Sequence, residues 1–299
     1  MPVSSFIKAI SIIDQNSHSG RESMTELEEY LKRHREIGGE IIYKLDEAIK
    51  NDEDNLNLFY IRGVIRRARQ EYEATIDDFN VVIEADPLYF EAYVERSLSD
   101  NIIGNYDAAI EDITTVLYHS GLLDYYAYRG DYLYNKGDYS KAIEDYRFAA
   151  EGGSNKSAYC YYSCGQAYYR LGEYSDATFY YEKAISDGLI AGYKQSCYKE
   201  LGDAYLCQGD QYQSGDKVEQ NLDKAFACYR DAIDKYELSL SYSEADSEVT
   251  ASCEYWIGNA YSRLGEDKNA LPHFETACEL SDDEFYRSEF ESCRERLNQ

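Results

Sequence analysis

Apolar residues recur along most of this chain at the three- and four-residue spacing of amphipathic helices. Four segments repeat the same arrangement of a turn followed by such a helix, most fully as Gly-x-Tyr-x-x-Ala. They begin at Gln70, Gly104, Gly137 and Gly172, which lie 34, 33 and 35 residues apart. A nearly constant period of this length predicts stacked helix–turn–helix units, each packed on its neighbours, rather than a bundle around one centre.

The clearest unit is residues 158–194, where large and small residues alternate at fixed positions: Tyr161, Gly165, Tyr168, Gly172, Tyr174, Ala177, Tyr181 and Ala184. This pattern resembles the tetratricopeptide repeat. The resemblance implies an all-α fold, a right-handed α-solenoid of antiparallel helix pairs. Small residues would let the two helices of a pair cross closely, and large residues would fill the gaps between pairs.

The resemblance extends over residues 22–284, which we interpret as seven repeats. It is strongest over residues 90–194. The first repeat, residues 22–55, is degenerate, and Gly38-Gly39 is expected at its turn. The sixth carries eleven extra residues, Asp210–Gln220, which are expected to lengthen the turn after Gly209 and either serve a partner or have no role.

Both ends of the chain predict helices that cover the terminal repeats. Apolar residues 4, 3 and 4 apart form one helix face in residues 285–299: Tyr286, Phe290, Cys293 and Leu297. Residues 1–21 carry a similar stripe followed by a flexible joint that ends at Gly20. We interpret this segment as an N-terminal capping helix, and the alternative is a self-peptide lying in the concave groove.

The net charge is −27, and it is unevenly distributed. Residues 1–70 hold 11 basic and 12 acidic residues, so the remaining residues hold a net charge of −26. This balance argues against nucleic acid and anionic membranes as partners. It favours basic protein partners, although it also serves solubility. No stretch is long and apolar enough to span a membrane, and the first residues do not resemble a signal peptide.

The sequence contains no recognisable catalytic or metal-binding motif. The eight cysteines form no Cys-x-x-Cys pair and mostly fall at helical core positions, which indicates buried thiols in a reducing, cytoplasmic setting. The four histidines lack a second ligand at metal spacing. Phosphate-loop, nucleophile-elbow and zinc-protease motifs are absent. We therefore expect a non-catalytic protein without cofactors or metals.

The resemblance also implies where a ligand would bind, because the first helix of each repeat lines the concave side. The residues at the inward positions are mostly tyrosines and acids, which favour a basic peptide or protein segment. The alternative is a merely solvated face. The candidate contact residues are Glu91, Glu95, Asp124, Tyr128, Asp131, Tyr159, Tyr162, Gln166, Tyr169, Lys199, Asp203 and Tyr255.

The sequence also bears on two other functions. Family members that hold acidic chaperone tails use Lys and Asn at set inward positions, and here Lys199 is followed by Asp203, whose charge would repel such a tail. We therefore exclude that partner. A basic island, Lys32–Arg35 with Arg66, Arg67 and Arg69, could stabilise its own helix ends or mediate weak head-to-tail self-association. The alternative function is a structural subunit or spacer of a larger complex.

Overall fold

The computed structural model describes residues 35–242 and 247–298, and within these ranges it contains fourteen α-helices and no strands. The expectation of an all-α helical-repeat solenoid is confirmed. The chain divides into two compact units, Met1–Lys136 (unit 1) and Gly137–Gln299 (unit 2). Residues 1–21, with the predicted N-terminal cap and its alternative in the groove, lie outside the described residues.

Unit 1 contains six described helices joined by short turns. Within the unit, helices that are neighbours in sequence pack on one another, and α2 also contacts α4. This is the contact pattern of stacked hairpins. The helices are α1 (Arg35–Asn51), α2 (Leu56–Ala68), α3 (Tyr72–Ala85), α4 (Phe90–Ile102), α5 (Tyr106–Ser120) and α6 (Asp124–Lys136).

Unit 2 contains eight helices with the same sequential packing, and α8 contacts α10 as α10 contacts α12. Two of its helices are much longer than the others. They are α7 (Tyr139–Glu151), α8 (Ser157–Leu171), α9 (Tyr174–Ser186), α10 (Ala191–Ser214), α11 (Leu222–Ser241), α12 (Ser247–Arg263), α13 (Asp267–Leu280) and α14 (Glu284–Leu297).

The helices of a pair approach closely because a glycine on the first helix faces an aromatic ring on the second. A Cβ atom at Gly165 would lie 2.6 Å from Cδ1 of Tyr181, and one at Gly63 would lie 2.9 Å from the ring of Phe79. Both rings are almost completely buried. The predicted pairing of small and large residues therefore sets the helix spacing in both units.

The first helix of several repeats ends on a residue in the left-handed conformation. Gly104 (φ 88°) and Gly172 (φ 73°) take this role, as glycine does at little cost. Gln70 holds the equivalent position between α2 and α3 with φ 66°. Its side chain makes this conformation unfavourable, so the α2–α3 turn stores backbone strain.

The prediction of a turn at Gly38-Gly39 is wrong, because both residues lie inside α1. The physical reason is packing against the end of α2. A Cβ atom at Gly38 would lie 3.0 Å from Cδ of Arg69, so glycine here leaves room for that side chain.

The prediction that residues 210–220 lengthen a turn is wrong for residues 210–214 and right for residues 215–220. Helix α10 continues through Gly209 to Ser214, and the turn begins only at Gly215. Two glycine–tyrosine contacts hold the longer hairpin together: Gly202 faces Tyr236, and Gly209 faces Tyr229. Residues 210–214 therefore extend α10, and residues 215–221 form the connection to α11.

Helix α14 packs its apolar face on the preceding pair of helices. Cys293 is fully buried there, and Tyr286, Phe290 and Leu297 pack against the same cluster as Phe274. Its charged residues lie on the other face. The role of α14 as a cap, like the division into seven repeats, stays a prediction.

Candidate functional site

The first helices of unit 1, α2, α4 and α6, carry five of the predicted contact residues. On α4, Glu91 and Glu95 are one helical turn apart, so they share a face. On α6, Asp124, Tyr128 and Asp131 follow at i, i+4 and i+7 and form a similar line. Glu91 is exposed, and the other four are partly buried.

Two hydrogen bonds join the faces of α4 and α6. Ser97 Oγ and the Tyr132 hydroxyl are 3.0 Å apart in a buried contact. Nearer the other end of the helices, Asn135 Nδ2 donates to Asn101 Oδ1 at 3.0 Å. These bonds set the two helices side by side.

Helix α2 joins this surface through an ion pair that sequence reasoning missed. Arg67 Nε lies 2.8 Å from Glu95 Oε2, and each side chain is 15% exposed. Glu95, predicted as a ligand for a partner's cation, therefore already has a cation from its own chain. The sequence did contain a signal for this ion pair, because Arg67 occupies an inward position of the repeat that precedes Glu95.

The surface formed by α2, α4 and α6, hereafter the acidic face, carries a negative excess. Its inward positions hold four carboxylates, Glu91, Glu95, Asp124 and Asp131, and one guanidinium, Arg67. Their net charge is −3. The guanidinium of Arg67 is paired with one of these carboxylates, that of Glu95.

Unit 2 places two predicted contact residues in its core instead. Tyr162 is 5% exposed and Tyr255 is 2% exposed. Tyr162 packs against Tyr181 with ring centroids 5.9 Å apart, and Tyr255 stacks on Tyr286 at 4.8 Å. The reason is size, because large rings at these positions fill the seams between successive helices.

A buried polar network surrounds Glu200 on α10. Its carboxylate accepts hydrogen bonds from the hydroxyls of Tyr162 at 2.8 Å and Tyr181 at 2.9 Å, and from Gln166 Nε2 at 3.2 Å. Burial raises the pKa of Glu200, and these three donors only partly offset it. Gln166, a predicted ligand contact, is thus engaged within the fold.

The remaining predicted residues of unit 2 also have partners there. Lys199 Nζ contacts Asp203 at 2.9 Å, and the Tyr236 hydroxyl donates to the same carboxylate at 2.7 Å. Tyr169 lies 3.6 Å from Cys207 Sγ, and Tyr159 packs on Tyr193.

The inward positions of unit 2 carry three cations, Arg170, Lys199 and Arg263, against two carboxylates, Glu200 and Asp203. Their net charge is therefore +1. The negative excess at the inward positions therefore belongs to unit 1.

Three arginines of the predicted basic island, Arg66, Arg67 and Arg69, are paired with carboxylates inside unit 1. Arg66 contacts Asp78 at 2.9 Å, Arg67 contacts Glu95, and Arg69 contacts Glu71 at 2.8 Å. They do not form a charged patch extending from α2, which weakens the case for head-to-tail self-association. Residues 32–34 lie outside the described ranges.

Two kinds of feature are absent from the described residues of both units. No group of three or more His, Cys, Asp or Glu side chains there could hold a metal ion. None of the described helices is long and apolar enough to cross a bilayer.

Comparisons with known proteins agree on the family. Tetratricopeptide-repeat models match residues 128–190 and 255–284. A TPR repeat-containing protein of Methanocaldococcus jannaschii is 25% identical over 80% of this chain, and human tetratricopeptide repeat protein 6 is 26% identical over 48% of it. The chain spans only 39% and 29% of the lengths of these two relatives.

Solved structures show the same fold. The C-terminal part of a TPR repeat-containing protein from Cytophaga hutchinsonii aligns with a TM-score of 0.65, at 16% identity, over 88% of this chain and 98% of its own. A tetratricopeptide repeat protein from Parabacteroides merdae aligns with a TM-score of 0.55, also at 16% identity, over 97% of this chain and 99% of its own.

Proposed function

The chain is a tetratricopeptide-repeat protein, and from that premise we propose that its acidic face binds a basic segment of a protein partner. Repeats of this kind form scaffolds for protein–protein interaction. The finer proposal rests on one observation: the inward positions of α2, α4 and α6 carry a net charge of −3, with their guanidinium already paired.

The geometry suits a ligand with several spaced cations. Helices α4 and α6 present two lines of carboxylates, and Tyr128 lies between Asp124 and Asp131 on one of them. Lysine or arginine side chains can pair with the acids while their aliphatic stems cover the ring. Such contacts are partly exposed, so each contributes little alone and the sum is sensitive to salt.

This proposal carries three further expectations. The protein acts without catalysis or cofactors, does not bind nucleic acid, and works in the cytoplasm. The first two follow from the absence of a catalytic motif and from the net charge of −27. The third is supported by the eight cysteines, which carry thiols rather than disulfides.

The test is a fluorescence titration with a labelled lysine-rich peptide and a glutamate-rich peptide of equal length. We expect the lysine peptide to bind and to weaken as salt rises. Glu91→Gln and Asp131→Asn should each weaken binding about two- to fivefold. Glu84→Gln, which removes an exposed acid from the second helix α3, is the matched control. Equal binding of both peptides, or binding unchanged by the first two variants, would refute the proposal.

A further inference from the structure

Unit 1 has an open groove of about 510 Å³ between the second helices α3 and α5. Tyr93, Arg96 and Asp100 of α4 line it. Because Tyr93, Arg96 and Asp100 are three and four residues apart, they share one face of α4, which differs from the face of Glu91 and Glu95. The groove is therefore separate from the acidic face, and its volume lies in the usual range of ligand sites.

An arginine crosses the groove and binds both walls. Arg96 donates to the two oxygens of Asp112 on α5 at 2.8 Å and 2.6 Å, and to Asn80 Oδ1 on α3 at 2.6 Å. Its guanidinium also lies 5.6 Å from the ring centre of Tyr93. This arrangement fixes the guanidinium at the centre of the groove.

The same arrangement occurs 34 residues earlier, with one important difference. There Arg62 contacts Asp78 and Asp46, each at 2.6 Å, as Arg96 contacts Asp112 and Asn80. A second guanidinium, from Arg66, reaches Asp78 at 2.9 Å. The two arginines balance the two carboxylates, so the earlier set is neutral.

In the groove the counterpart of Arg66 is Asp100. A buried anion thus stands where the preceding repeat has a cation. Asp100 is 4% exposed and accepts a hydrogen bond from the neutral amide of Asn105 at 3.0 Å. The groove lining thus holds two buried carboxylates and one guanidinium, and Glu111 adds a third acid at the rim.

The electrostatics of Asp112 reflect this excess. Burial raises its pKa, the neighbouring charges of Asp100 and Glu111 raise it further, and Arg96 acts in the opposite direction. A buried carboxylate without full compensation is unfavourable, so a cation placed between Asp100 and Asp112 gains more here than at an exposed acid.

We propose that this groove is a second binding site, which takes an arginine side chain of a protein partner in the place that Arg66 fills one repeat earlier. The planar fork of a guanidinium matches carboxylates better than an ammonium does. Ile76, Ile83 and Ala108, which also line the groove, would contact the aliphatic stem. The site shares no residue with the acidic face, so either site can fail without the other.

The test uses the full chain and a small probe, N-acetyl-leucyl-arginine amide. Its neutral isostere, with citrulline in place of arginine, is the matched control ligand. Binding is followed by the amide NMR signals of α3, α4 and α5. We expect saturable shifts with the arginine probe and at least tenfold weaker binding of the citrulline probe.

Asp100→Arg restores the cation of the preceding repeat and is expected to abolish the shifts. Glu111→Arg, at the exposed rim, is a second variant that does not disturb a buried group and is expected to weaken binding at least threefold. Asp131→Asn on the acidic face should leave the arginine probe unaffected. Equal binding of both probes, no binding of either, or full binding to Asp100→Arg and Glu111→Arg would each overturn the inference.

Discussion

Replacing Arg96 by Met is expected to be strongly destabilising, although the new side chain is apolar and of similar length. The guanidinium makes two hydrogen bonds to Asp112, whose side chain is 6% exposed, and one to Asn80. Without it, Asp112 and Asp100 remain as two buried carboxylates with no cation between them. The substitution therefore leaves unpaired buried charges rather than only a cavity.

The size of the effect follows from that distinction. Removing one partner of a buried ion pair typically costs about 3–5 kcal/mol, because the other charge stays desolvated. Removing both charges of a pair is often nearly neutral. The double variant Arg96→Met/Asp112→Leu should therefore recover at least about 2 kcal/mol relative to Arg96→Met. An exposed pair offers a control: Arg147→Met, which removes the contact to Glu151, should cost only about 0.3–0.5 kcal/mol.

The assay is urea unfolding followed by circular dichroism, with hydrogen exchange to locate the loss of protection in α4 and α5. The reasoning is refuted if Arg96→Met costs less than about 1 kcal/mol, which is the range of exposed pairs. It is equally refuted if the double variant is no more stable than the single variant. Either result would mean that the buried carboxylates do not need the guanidinium.

Three further predictions concern stability. Gly165→Ala should lower the free energy of unfolding in urea by about 1–3 kcal/mol, because its Cβ would lie 2.6 Å from a ring carbon of Tyr181. Gly192→Ala, which has open space around it, should raise the free energy of unfolding by up to about 1 kcal/mol. Gln70→Gly should raise the free energy of unfolding by about 1 kcal/mol, and no gain would mean that its φ of 66° carries no strain. The pKa of Glu200 is raised in the folded state, so its protonated form contributes stability that is fully present below the unfolded-state pKa near 4.5 and is lost as pH rises through the folded-state pKa. The melting temperature of the wild type, relative to that of Glu200→Gln, should therefore fall between pH 4 and 8. A difference in melting temperature that stays constant over this range would contradict the prediction.

Periodicity was sufficient to predict the fold class and the packing logic of the repeats. The spacing of residues such as Gly165 and Tyr181 encodes which atoms must touch, and the structure shows that contact. The exception was Gly209, which the repeat pattern placed at a helix end. A glycine that ends a helix and a glycine that makes room for a ring look identical in sequence, and only the position of Tyr229 distinguishes them.

The candidate site was less predictable for a related reason. Helical register correctly placed Glu91 and Asp131 on first helices, but it does not show which side chains pair within the fold. Tyr162 and Tyr255 occupy inward positions by register and yet lie in the core, since the seams between helices need their volume. The pairing of Glu95 with Arg67 depends on how far the helices of neighbouring repeats are shifted relative to each other. That shift is set by the packing of the folded chain and cannot be read from the sequence.

A charge-swap experiment tests the central claim, that the acidic face of unit 1 selects basic segments, most directly. The double variant Glu91→Lys/Asp131→Lys changes the net charge of this face from negative to positive. Measured by titration at low salt, wild type should prefer the lysine-rich peptide and the variant the glutamate-rich one. If the variant still binds the lysine-rich peptide as tightly as wild type does, the acidic face is not the binding surface.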